Sequence, residues 1–297
     1  MNRHIALGAD IGGSHISCAA IDLLTGKVLK ETLTGREVNN QELASVIIAV
    51  WADAVSEVLS KVPQGEVKGI SYIRGVSKYD NLYSVNITEA ISDCLNVPED
   101  FLIRYMNDAS AFAVGEAWAG SAAKFDRSLS ITLGTGFGSA FISNRIPIVD
   151  GPDVPKLGCI YHIPYEDGIA DDYFSTRWFM RRYKSITGKE LSGVKELSEL
   201  AAGDKIVRDL FIEFGDKCAL FLAPWLKKFK AEILVIGGNI SHAYKLFGDV
   251  FEEGLKKENC NCEVALSELK EDAALMGSAY LLDDDFWKSV QHALPLM

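Results

Sequence analysis

The sequence predicts an α/β protein of two lobes, each a mixed sheet flanked by helices. Two observations predict it. A hairpin group of strands is followed by strands alternating with helices, and that order occurs twice along the 297 residues. Each half opens on a short apolar strand that runs directly into a glycine cluster, at Gly12-Gly13 and at Gly134-Thr135-Gly136. Strands first in a hairpin group, then alternating with helices, describe a mixed sheet covered on both faces. Two such units place a cleft between them, at strand ends and a domain interface, where open α/β sheets bind their ligands.

The elements follow in order. His4 to Ala9 is a short apolar strand ending in Asp10-Ile11-Gly12-Gly13-Ser14, His15 to Leu23 is a second, and Val28 to Leu33 a third after the Thr25-Gly26 turn. Gln41 to Val62 carries apolar residues at helical spacing, with Asn39 or Asn40 as the N-cap. A strand at Val67 to Ile73, a helix at Thr88 to Leu95, a strand at Phe101 to Tyr105 and a helix from Ala109 complete the first series. The second begins at Ser128 with strand, glycine turn and strand. Helices then run through Phe229, followed by a strand at Ile233 to Ile236, a helix near Tyr244 to Lys257, a strand at Glu263 to Leu266 and a final helix. The division falls in the Gly115 to Lys124 region, giving lobes of residues 1–116 and 117–297, with the last helix able to return to the first lobe.

Composition narrows the function. With 48% hydrophobic residues the chain can bury a large core. A formal net charge of −11 argues against nucleic acid or an anionic membrane as a bulk partner, while leaving room for a local anion site. The N-terminus enters an apolar strand almost at once, without the basic n-region and small-residue cleavage site of a signal peptide, and the most apolar helical region, Leu210 to Phe229, is interrupted by Glu213, Asp216 and Lys217. The expectation is a cytoplasmic protein. Of the six cysteines only Cys260 and Cys262 lie close in sequence, a C-x-C without a second pair, which reads as buried thiols.

Four stretches carry candidate chemistry. Asp10, Gly12, Gly13 and Ser14 form one glycine cluster; Gly134, Thr135, Gly136 and Gly138 a second; Gly237, Gly238 and Asn239 a third. Glycine lets backbone N–H groups approach an anion with no Cβ in the way, and successive amides form anion nests. Any one cluster also fits an ordinary tight turn, and neither G-x-x-x-x-G-K-[ST] nor G-x-G-x-x-G occurs. The fourth stretch sets Asn107-Asp108 between an apolar strand and an alanine-rich helix. Either residue is a natural N-cap, and a carboxylate at a strand end is also a natural general base; one of the two can cap while the other reaches substrate.

These motifs, with Gly115-Glu116 and Ile240, resemble the ROK family (repressors, open reading frames, sugar kinases) of the actin-like, hexokinase-like ATPase superfamily. The resemblance runs in order over nearly the whole chain. It implies phosphoryl transfer from ATP to the hydroxyl of a hexose or hexosamine, usually O6, with Mg²⁺ as cofactor. In that reading Gly12, Gly13, Ser14, Gly134, Thr135, Gly136 and Gly138 hold phosphates, and Gly237, Gly238 and Asn239 lie near adenosine. Asp10 helps place Mg²⁺ through water, Asp108 is the base, and Asn107 binds a sugar hydroxyl. A homodimer is implied by the same resemblance.

The sequence departs from the family at three places. The zinc motif is absent: Cys159 and His162 are its only soft ligands, and no four-coordinate structural zinc site can be assembled from them locally. Lys156-Leu157-Gly158-Cys159 stands where the family has E-I-G-H, whose acid and histidine contact the sugar, while Ala170-Asp171-Asp172-Tyr173 is similar to L-E-x-Y and puts Asp171 at a sugar-binding glutamate. Alternatively, Asp171 is simply an acid at a helix N-terminus. The family's G-x-P-G-P loop is missing near Gly69 to Ile73. An ATP-dependent sugar kinase is therefore set against a catalytically impaired sugar- or nucleotide-binding protein. The family's repressor branch needs an N-terminal helix-turn-helix, for which Asp10 leaves no room.

Overall fold

The structure is a computed structural model and describes residues 3–12, 14–74, 79–83 and 85–296. The chain divides into two compact units, Met1–Ala119 with Glu271–Met297, and Gly120–Lys270.

In the first unit, β1 (Ile5–Ile11), β2 (His15–Asp22) and β3 (Lys27–Glu37) form an antiparallel meander. Helix α1 (Ala44–Ser60) leads to β4 (Val67–Arg74), and α2 (Ile87–Leu95) to β5 (Leu102–Asn107). Both β4 and β5 join in parallel, giving the order β3-β2-β1-β4-β5 among the described residues. Helix α3 (Asp108–Ala119) follows without a loop. The segment Gly69 to Ile73, near which the G-x-P-G-P loop is missing, is the interior of β4, paired on both sides.

Helix α1 starts later than its apolar periodicity suggests. Leu43 is at the N-cap and makes no side-chain cap, because Asn39 instead accepts the Gln41 N–H at 3.1 Å and holds a turn ahead of the helix. Its Ile47, Trp51, Val55 and Val58 pack with Leu7, Ala9 and Ile11, the odd positions of β1.

The even positions of β1 face the other layer. It is built from α3 and the C-terminal helix Glu271–Tyr280, and its close approach depends on glycine.

The second unit repeats the plan. β6 (Arg127–Leu133), β7 (Phe137–Ser143) and the two-residue β8 (Ile146–Pro147) are antiparallel. A small ribbon, β9 (Pro164–Tyr165) and β10 (Gly168–Ile169), precedes α4 (Ala170–Tyr173), α5 (Thr176–Thr187), α6 (Val194–Leu200) and α7 (Lys205–Phe229). Then come β11 (Ile233–Gly237), a 3₁₀ segment Asn239–Leu246, α8 (Gly248–Lys257) and β12 (Glu263–Leu266). The order β12-β11-β6-β7-β8, with β11 parallel to β6 and to β12, mirrors β5-β4-β1-β2-β3. The core is aromatic: Phe137, Phe174 and Phe221 meet with ring centroids 5.0–6.1 Å apart. The single helix expected at Tyr244 to Lys257 is split, with Phe247 left non-helical between its parts.

After β12 the chain returns to the first unit as α9 (Glu271–Tyr280) and α10 (Asp284–Val290). They are two helices where one was expected, because Asp283 accepts the N–H groups of Asp285 and Phe286 and starts α10 afresh. A Cβ on Gly8 would lie 2.3 Å from Leu275 O, one on Gly115 1.9 Å from Ala273 O, and one on Gly277 1.8 Å from Ala111 O. Backbone meets backbone at all three, so nothing can yield cheaply. Gly277→Val is expected to lower the unfolding free energy by about 3 kcal/mol or more. Denaturant titration checks this; a midpoint equal to wild type would mean that α9 does not lie against α3 as described.

Candidate active site

The duplicated topology puts the glycine clusters at equivalent positions. Gly12 and Ser14 lie between β1 and β2, and Gly134, Thr135 and Gly136 between β6 and β7. Gly13 lies outside the described residues.

In the first unit the candidate residues gather at the carboxyl ends of three parallel strands. Asp10 pairs in register with Ile73, Ile73 with Met106, and Asn107 follows at the end of β5. Asp10 and Asn107 are thus two strands apart along one sheet edge, on the order of 10 Å. This is the end at which α/β sheets take ligands. Asn107 Oδ1 accepts the N–H groups of Ala109 (3.0 Å) and Ser110 (3.2 Å), so Asn107 is the cap of α3. Asp108 occupies the first helical position, exposed, with Oδ1 accepting the Ala109 N–H at 2.9 Å. The cap commits Oδ1 of Asn107, and what that side chain retains for a ligand is its Nδ2 donor.

Gly12 donates its N–H to His15 O at 2.8 Å, and its own carbonyl accepts Tyr79 O–H at 2.6 Å. A Cβ there would come 2.5 Å from the His15 imidazole. The space gained by glycine at this position is filled by His15. Neither Tyr79 nor His15 carried a signal in the sequence, since both contacts arise from how the loop ends fold back.

In the second unit the turn after β6 is tied down at both ends. Gly134 N–H donates to Gly136 O (3.0 Å), Thr176 N–H to Gly134 O (2.8 Å), and Phe137 N–H to Asp171 Oδ1 (2.6 Å). Among the described residues the N–H groups of Thr135 and Gly136, between these ties, have no acceptor. Adjacent unpartnered amides in an exposed glycine turn suit phosphate oxygens. Gly138 lies just inside β7, opposite Thr132. On the neighbouring strand Gly237 pairs with the same Thr132, and Gly238 (φ 82°) sits so close that a Cβ would be 2.5 Å from Leu133 O. The second and third glycine clusters are therefore side by side at one sheet edge, with Asn239 exposed at the start of the 3₁₀ segment.

Asp171, expected at the sugar, has both carboxylate oxygens engaged by this turn: Oδ1 by Phe137 N–H and Oδ2 by Arg177. The Lys156–Cys159 segment packs against β7, where Ile160 N–H donates to Ser139 Oγ at 2.9 Å, and Leu157 takes a left-handed conformation (φ 69°). Burial pushes the Cys159 thiol up to about 11, and its Sγ lies 3.8 Å from His162 Nδ1. A thiol so placed is neutral at physiological pH and does not reproduce an imidazole.

The described residues hold no group of three His, Cys, Asp or Glu side chains able to cage a metal. Mg²⁺ carried in on phosphates needs only one or two carboxylates and keeps much of its water. Asp10 supplies such a carboxylate at the end of β1.

Known proteins resemble this arrangement. The model of the ROK family matches residues 6–285. An N-acetyl-D-glucosamine kinase of Pectobacterium carotovorum is 26% identical over 270 residues, 81% of this chain and 85% of that protein. A glucokinase of Thermotoga maritima is 27% identical over 315 residues, covering 94% of this chain and 97% of that one. Among solved structures, a ROK family glucokinase from Streptomyces griseus in complex with glucose and AMPPNP superposes with a TM-score of 0.71 at 21% identity, covering 93% of this chain and 98% of that chain. The fold is thus the actin-like one shared by these proteins, with duplicated mixed sheets flanked by helices. No described helix is long and apolar enough to cross a membrane.

Proposed function

The chain belongs to the ROK family, and on that premise we propose that it is an ATP-dependent sugar kinase, phosphorylating a hexose or hexosamine at O6. The observation that carries the reading is the glycine turn of the second unit, whose Thr135 and Gly136 amides lack acceptors among the described residues; in the first unit, taken by itself, the Asp108 carboxylate is exposed at the carboxyl end of the parallel strands. The turn suits a phosphate, the carboxylate a base. The kinase names of the relatives favour catalysis over a binding-only role.

The roles follow from the chemistry of each group. Asn107 Nδ2 donates to a sugar hydroxyl and orients it toward Asp108. Asp108 accepts that hydroxyl's proton as its oxygen bonds to the γ-phosphorus. The bond between that phosphorus and the β,γ-bridging oxygen breaks, and ADP leaves. Thr135 and Gly136 bring backbone amides to the phosphates; Gly134, whose N–H is bonded to Gly136 O, and Gly12, whose N–H is bonded to His15 O, shape their own turns, with Gly138 and Ser14 beside them; Gly237, Gly238 and Asn239 border the adenosine. Asp10 would help hold Mg²⁺, and the ion would supply positive charge to the transferring group. Asp171 can serve the sugar only by giving up one of its present partners. With Lys156 and Cys159 in place of an acid and a histidine, glucose is held weakly, and a hexosamine is the first substrate to try. A homodimer in the cytoplasm completes the reading.

The test is ADP release against a panel of hexoses and amino sugars, with N-acetylglucosamine and glucose included. A kinase releases ADP only when its sugar is present; a binding protein releases none with any sugar.

A further inference from the structure

We propose that Arg177 is an anion-binding residue of the Gly134–Gly136 turn, supplying a guanidinium to the nucleotide's phosphates; this rests on the kinase reading. Arg177 is the second residue of α5. Its Nη1 donates to Thr135 O at 3.0 Å, and Nη2 pairs with Asp171 Oδ2 and donates to Asp171 O at 3.4 Å. The guanidinium is thereby fastened to the turn whose amides lack acceptors, while 55% of the side chain remains exposed. Arginine has five N–H donors in a fixed fork. Those used here leave Nε–H and the second Nη1 hydrogen uncommitted.

Charge makes the same point. The Asp171 carboxylate lies against the turn, 2.6 Å from Phe137 N. Alone, it would repel a phosphate arriving at Thr135 and Gly136. Paired with Arg177 it is neutralised, and it also prevents the long arginine side chain from swinging away. Asp171 is in this view the positioning residue and Arg177 the ligand. The fork geometry favours bidentate hold on phosphate oxygens.

Titration calorimetry with two probes, ATP and inorganic tripolyphosphate, tests this on wild type, Arg177→Gln and Arg177→Lys. Arg177→Gln is expected to weaken both probes by roughly 10- to 100-fold at an unchanged melting temperature. Arg177→Lys keeps the charge but cannot hold Thr135 O and Asp171 at once, and is expected to recover part of the loss for both probes. A purely structural staple would leave the lysine variant as weak as the glutamine one, and that result overturns the proposal. So does unchanged affinity in Arg177→Gln. If wild type binds tripolyphosphate but not ATP, and Arg177→Gln loses it, the anion site stands and the kinase reading falls. If wild type binds neither probe, both fall.

Discussion

Asp108→Asn is expected to lower kcat for sugar phosphorylation by roughly 10²- to 10⁴-fold, with folding and ATP affinity close to wild type. The reasoning starts from which residue caps α3. Asn107 Oδ1 takes the N–H groups of Ala109 and Ser110, so the helix start does not depend on the Asp108 carboxylate. Asparagine at 108 keeps the shape of the side chain and an acceptor for the Ala109 N–H, and removes the basicity alone. Steady-state kinetics with a melting curve measures both quantities. Preserved turnover with lost stability would reduce Asp108 to a structural part of the helix terminus.

The second large effect is expected at Gly136. A Cβ there would stand 3.1 Å from Asp171 Oδ1, and the branched side chain of Gly136→Val would crowd the carboxylate that holds Phe137 N–H. Gly136 does not use the left-handed backbone region, so valine is conformationally allowed and the unit should still fold. The turn must shift, moving the Thr135 and Gly136 amides off their present line. ATP affinity is expected to fall at least about tenfold, in keeping with the loss of one or two charge-assisted hydrogen bonds. Calorimetry on a folded Gly136→Val protein that gives wild-type ATP affinity would remove the phosphate role from this turn.

Much of this was legible in the sequence because strand ends are. Asp10, Asn107-Asp108, Gly134 and Gly237 each stand where an apolar run stops, and β1, β5, β6 and β11 stop within two residues of them. The choice between cap and base at Asn107-Asp108 was not legible, since both residues cap well; the structure assigns the cap to Asn107. Nor was the bond from Phe137 to Asp171, which joins residues 34 apart across β7, β8 and the β9–β10 ribbon. The return of α9 to the first unit depends on Gly8, Gly115 and Gly277, whose common purpose emerges only when their backbones touch. The strand expected at Val67 to Ile73 is β4, Val67–Arg74, and the G-x-P-G-P loop is missing from the sequence beside it.

A phosphoryl group that moves from ATP to a sugar hydroxyl leaves a phosphomonoester on the sugar. Phosphorus NMR of the protein incubated with ATP, Mg²⁺ and N-acetylglucosamine, then with glucose and the remaining panel, detects it. The expected result is a phosphomonoester signal coupled to the C6 protons of one of these sugars, growing as ADP grows and lost in Asp108→Asn. A folded, ATP-binding protein that yields no sugar phosphate across the panel would contradict the kinase reading.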